Sequence, residues 1–110
     1  MSGESLPPIV DAIAHEHPDV WDAYNRLGEA TEKAGPLDDR IIRLVKLALA
    51  IGAGRQGQVH SHARRALKLG VTPAELRQVA LLAIPSLGWS AGVAALSWIN
   101  DVVDAHTGQS

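Results

Sequence analysis

The sequence predicts an all-α protein, a bundle of five or six helices, and three observations carry that prediction. Apolar residues make up 46% of the 110 positions, supplied mostly by alanine and leucine, with no phenylalanine and a single tyrosine. Such a composition suits closely packed helices better than a sheet of β-branched and aromatic side chains. Apolar positions recur at three- and four-residue spacing along most of the chain, and glycines and prolines punctuate the periodic stretches.

Leu6, Ile9, Val10 and Ile13 lie at helical spacing after Pro7 and Pro8, which gives a short first helix. His17-Pro18 opens a second, with Pro18 suited to the first helical position. Val20, Tyr24, Leu27 and Trp21 form its apolar side, and Gly35-Pro36 stops it. Leu37-Asp38 starts the third helix. Asp38 is a good N-cap, and Leu37 can pack on Ile42 as a hydrophobic staple. From Ile41 to Ile51 apolar residues cover most of the circumference, which predicts a central, largely buried helix ended by Gly52 and Gly54. The fourth helix runs from about Gln56 to Leu69, with Gly70 as its C-terminal glycine. Val59, Ala63, Ala66, Leu67 and Leu69 form one apolar arc on it. Thr72-Pro73-Ala74-Glu75 is a capping box with proline at the first helical position, and Val71 can staple onto Leu76. Pro85 is expected to kink or end this fifth helix. Gly88-Trp89-Ser90 leads into a last helix carrying Val93, Leu96, Ile99 and Val103, followed from His106 by a polar, frayed tail.

Composition also excludes function classes. The length fits one domain spanning residues 1–110 and is too short for two. A formal net charge of -2 leaves no broad basic footprint for nucleic acid. The chain contains no cysteine, which rules out disulfides, thiolate metal sites and a cysteine nucleophile. No basic head precedes an apolar run as in a signal peptide, and no apolar run reaches the roughly 18 residues of a membrane helix. The expected compartment is the cytoplasm, with no membrane partner.

Several pieces in order then resemble a known family. Leu37-Asp38-Asp39-Arg40 leads into Leu44-Val45-Lys46-Leu47-Ala48. Gly54-Arg55-Gln56 follows, then His62, then the run from Ala66 to Leu76, and finally Gly88-Trp89. Over about residues 37–95 this resembles the carboxymuconolactone decarboxylase family, which includes the alkylhydroperoxidase-D-like proteins. The resemblance implies an alkylhydroperoxidase-D-like helical bundle that assembles into trimers or hexamers.

The peroxidase branch of that family uses Cys-x-x-Cys-x-x-x-His. Counting back from His62, the two cysteine positions are Arg55 and Gln58, and the branch's relay glutamate falls at Arg43. Peroxide reduction of that type needs a thiolate, so it is excluded. The cysteine-free branch is closer, with its Gly-Arg turn and a histidine at the place of His62. It is similar to a decarboxylase that releases CO₂ from a lactone dicarboxylate, which implies a small carboxylate substrate and neither metal nor organic cofactor. Ser90 stands where family members commonly have proline, while proline occurs earlier as Pro85, and this changes the wall of the implied pocket.

Decarboxylation needs a group that holds carboxylates and an acid that protonates the carbon CO₂ leaves behind. His62 lies within the apolar arc of the fourth helix, where a histidine is more often a core residue; the resemblance makes it the catalytic candidate. Arg55, close to His62 in projection, can clamp a carboxylate through two parallel hydrogen bonds. Gln58 and Trp89 are candidates for lining the substrate site. Arg43 shares a face with Lys46 and reads as a solvated charge, secondarily as an anion-binding residue. His60 projects about 160° from His62, so the two are poorly placed to share a metal, and His60 is expected at the surface. His15-Glu16-His17 is too short and too near a helix boundary for a metal site. Trp21 and Trp98 read as core or subunit-interface residues, and the capping box accounts for Glu75. An alternative to catalysis is a ligand-binding or assembly module that kept the scaffold.

Overall fold

The computed structural model describes residues 6–106, and within them the backbone forms six α-helices: α1 (Pro8–Glu16), α2 (Pro18–Glu32), α3 (Asp39–Gly52), α4 (Gln56–Lys68), α5 (Pro73–Leu87) and α6 (Trp89–His106). No strand occurs among the described residues. The polar tail expected beyond His106 lies outside them. Contacts divide the chain into two compact units, with the boundary between Pro36 and Leu37.

The first unit holds α1 and α2. Prolines occupy the first turns of both helices, where a missing N–H costs nothing. Neither helix contains a buried residue, and Val20, Tyr24 and Leu27 on the apolar side of α2 are all exposed. Trp21 stacks on Tyr24 with ring centroids 6.0 Å apart.

The second unit holds α3 to α6 around a core in which alanine predominates. Leu47, Val59, Leu76 and Ile99 are its largest fully enclosed side chains, surrounded by Ala50, Ala63, Ala66, Ala80, Ala83 and Ala95. Gly92 on α6 allows a close approach to α5. A Cβ there would overlap Ile84 Cγ1 and press on the α5 backbone, so only glycine fits the crossing of these two helices. The expectation that α3 is largely buried needs correction. Ile42, Leu47, Ala50 and Ile51 are buried, but Leu37, Ile41, Val45 and Leu49 form an exposed stripe at four-residue spacing. The apolar belt of α3 therefore exceeds what the helices of this unit cover.

The helix ends follow the local signals. Asp38 accepts from the Ile41 N–H at 2.9 Å, as an N-cap should. Gly54, at φ +68°, closes the short α3–α4 turn, in which the Arg55 N–H donates to the Ala50 carbonyl at 3.1 Å. Pro85 does not end α5, which continues to Leu87. The hydrogen bond Pro85 cannot make would go to the Leu81 carbonyl, and Leu81 and Pro85 are both exposed, so water can take the missing donor's place.

Thr72 and Glu75 form the predicted capping box, and an ion pair that the sequence did not reveal adds to it. Arg40, from the first turn of α3, donates to Glu75 Oε1, the oxygen that also accepts from the Thr72 N–H at 2.9 Å. The Arg40 hydrogen bond, then that of the Thr72 backbone, hold the Glu75 carboxyl down at about 2. A carboxyl lowered on folding stabilises the fold above its ordinary pKa of about 4.3 and stops doing so as pH falls through the folded value. Glu75→Gln is therefore expected to be less stable than the native protein at pH 6. Denaturant melts should show the difference shrinking between pH 4.5 and pH 2.

Candidate functional site

His62 and Arg43 meet across α3 and α4. Arg43 Nη1 lies 2.9 Å from His62 Nδ1, and both side chains are half-buried. The α3–α4 turn around Gly52–Gly54 lies midway between the two positions, so folding the helices back on one another brings them opposite. Arg43 is thus not the solvated charge its helix face suggested. It faces α4, and its guanidinium is hydrogen-bonded to the histidine that the sequence singled out.

The other candidates are more open. Arg55 caps the start of α4 in an extended conformation and is exposed, and Gln58 is exposed in the first turn. Arg55, Gln58 and His62 share one side of α4, with Arg55 and His62 about 10 Å apart along its axis. Trp89, the first residue of α6, is 71% exposed. Trp98 is half-buried and packs on the core, as expected. His15 Nδ1 donates to the Asp11 carbonyl at 2.9 Å, within its own helix.

Two contacts escaped the sequence reading. His60, expected at the surface, is half-buried, and its Nε2 lies 3.1 Å from Asp101 Oδ2 on α6. Arg77 Nε donates to Asn100 Oδ1 at 2.9 Å, joining α5 to α6. Sequence separations of 41 and 23 residues put both beyond local pattern.

Grooves open on this unit among the described residues, and two of them bear on function. One, of about 370 Å³ between α4 and α6, is lined by His60, Arg64, Lys68 and Asp101 over Val102 and Ala105. The other, of about 460 Å³ between α3 and α5, is lined by Ile41, Leu44, Val45, Val79, Leu82 and Leu87, with Ser86 its one side-chain polar group. Neither is lined by His62, Arg43, Arg55, Gln58 or Trp89.

A sequence profile of the carboxymuconolactone decarboxylase family matches residues 18–101, most of the chain. The chain belongs to the carboxymuconolactone decarboxylase family. Among solved structures it is similar to the apo form of a carboxymuconolactone decarboxylase family protein from Legionella pneumophila. The two share 22% identity and a TM-score of 0.75, over 87% of this chain and 85% of the other. At that identity the likeness concerns the fold, and it agrees with the alkylhydroperoxidase-D-like bundle anticipated from the motifs. No curated protein matches the chain significantly. No helix among the described residues is long and apolar enough to cross a membrane.

Within this family member, Arg43 and His62 form the polar contact to test first. Hydrogen bonds to a charged group contribute about 1.5–3 kcal/mol, and neighbouring residues in one network behave non-additively. In a double-mutant cycle of Arg43→Met and His62→Ala, read by denaturant unfolding, a coupling of about 0.5–3 kcal/mol is expected. Strict additivity would mean that the contact is not formed in solution.

Proposed function

We propose that this family member is a cofactor-free, decarboxylase-like enzyme of the cytoplasm acting on a small carboxylated lactone or a related acid. The observation that carries the reading is the Arg43–His62 pair at 2.9 Å, a cation and an imidazole held together on the site that the family motif marks. In this reading the substrate's C–CO₂⁻ bond breaks, CO₂ departs, and the electron pair remains on the lactone as an enolate. Hydrogen-bond donors aimed at that developing charge lower the barrier. Arg55 and Gln58, on the same side of α4, hold the remaining carboxylate, and Trp89 bounds the site.

A second reading has an observation of its own. The α3–α5 groove has the lining of a site for an apolar ligand or a helix, with no ionisable side chain in it. This favours a ligand-binding or assembly role that retained the scaffold without its chemistry.

Measuring CO₂ release from a panel of carboxylated lactones separates the two. The enzyme reading expects turnover that falls about 10²–10³-fold in Arg43→Met and in His62→Ala, the loss typical of one charge-stabilising donor. No release across the panel, with an apolar probe binding in the α3–α5 groove, would favour the second reading. Both readings include self-association into a trimer or hexamer, because Leu37, Ile41, Val45 and Leu49 leave a continuous apolar stripe exposed. Sedimentation velocity is expected to give one of those masses, and a stable monomer would refute this part.

A further inference from the structure

We infer that Arg43 is a positioning residue that fixes His62 as a neutral imidazole protonated at Nε2, so that His62 serves as a hydrogen-bond donor to an anionic oxygen and not as a proton-transferring acid or base. The inference deepens the decarboxylase reading and takes its ligand class, a carboxylate or enolate oxygen, from it.

Donor and acceptor chemistry decides which ring nitrogen carries the proton. A guanidinium carries five N–H donors, no acceptor, and a charge it does not lose in proteins. At 2.9 Å from Arg43 Nη1, His62 Nδ1 can only accept. Its lone pair is therefore committed, and the one proton of the neutral ring sits on Nε2. Adding a second proton would place N–H against N–H beside a fixed positive charge and would break the contact. The contact lies between two half-buried side chains.

The chemical consequences follow from that tautomer. With its proton already in place, Nε2 cannot act as a base. To act as an acid it would have to leave an imidazolate, which is inaccessible in water. What remains is an N–H donor beside a cation, suited to an oxygen that gains negative charge. In the decarboxylation proposed above, the carbon left by CO₂ then takes its proton from water, releasing hydroxide, while His62 stabilises the enolate oxygen. The position of Arg43 is the one where the family resemblance implies a relay glutamate. A carboxylate there would accept from Nδ1–H and leave Nε2 bare, the opposite tautomer of the same ring.

The test reads the ring directly, in the ligand-free protein, by long-range ¹H–¹⁵N spectroscopy at neutral pH. The native protein should show His62 protonated at Nε2 with a bare Nδ1, and Arg43→Lys should keep that pattern. Arg43→Glu should invert it, giving Nδ1–H and a bare Nε2, which the mere loss of a packing side chain would not do. Should Arg43→Glu fail to fold, Arg43→Met decides. There His62 is expected to take its second proton about 1–3 pH units higher than in the native protein, the range over which one nearby charge acts. The neighbouring charges Lys46 on α3 and Arg55 and Arg65 on α4 are common to both proteins. A native ring protonated at Nδ1, or doubly protonated at neutral pH, would overturn the inference. So would a folded Arg43→Glu or Arg43→Met protein whose His62 behaves as in the native one. Because no substrate is involved, failure of the decarboxylase assay with the expected tautomer would remove the reaction and leave the positioning role standing.

Discussion

How closely helices α3 to α6 approach one another is set by alanine and glycine at their contact faces, and most other features of this unit depend on that closeness. A core built on Ala50, Ala63, Ala66, Ala80, Ala83 and Ala95 removes little apolar surface per residue, since each methyl contributes far less than a leucine would. Dispersion contacts between nearby backbones compensate only while the spacing is tight. The contact of Gly92 with Ile84 is an instance of that spacing.

Close helices also bring polar side chains at their edges within reach of one another. Arg40–Glu75 joins α3 to α5, Arg77–Asn100 joins α5 to α6, His60–Asp101 joins α6 to α4, and Arg43–His62 joins α4 to α3. Together they form a closed circuit around the four-helix unit. Arg40–Glu75 joins two stretches that carry the family resemblance, at an exposed capping box, while Arg77–Asn100 and His60–Asp101 involve residues outside those stretches. The fourth contains the motif histidine, and there a structural contact and a chemical one coincide.

Much of this was legible in the sequence. The six helices, the Asp38 and Thr72 caps and the glycine turns follow from local chemistry, and local chemistry does not change when the chain folds. The extent of burial was less legible. Periodicity shows that α3 is apolar nearly all round but not which part of the circumference other helices cover, so Ile41, Val45 and Leu49 were misjudged. Pro85 was read by its usual effect, which an exposed carbonyl relieves. At the site, His62 was found by motif, while Arg43 was read from its own helix face as solvated. The missed signal was geometric: the glycine turn sits midway between the two positions. His60–Asp101 and Arg77–Asn100 depend on helix crossings, and no turn symmetry announces those.

The placement of Arg43 on a different helix from His62 has a consequence for how such a protein can diverge. The residue that determines which face of the imidazole carries a proton lies outside the motif and need not touch a substrate. Exchanging it leaves α4, its buried alanines and the Gly54 turn as they are. A lineage could therefore move between donor and acceptor chemistry at one histidine through a single change on α3. Comparison of motif residues alone would then group proteins whose histidines work in opposite senses.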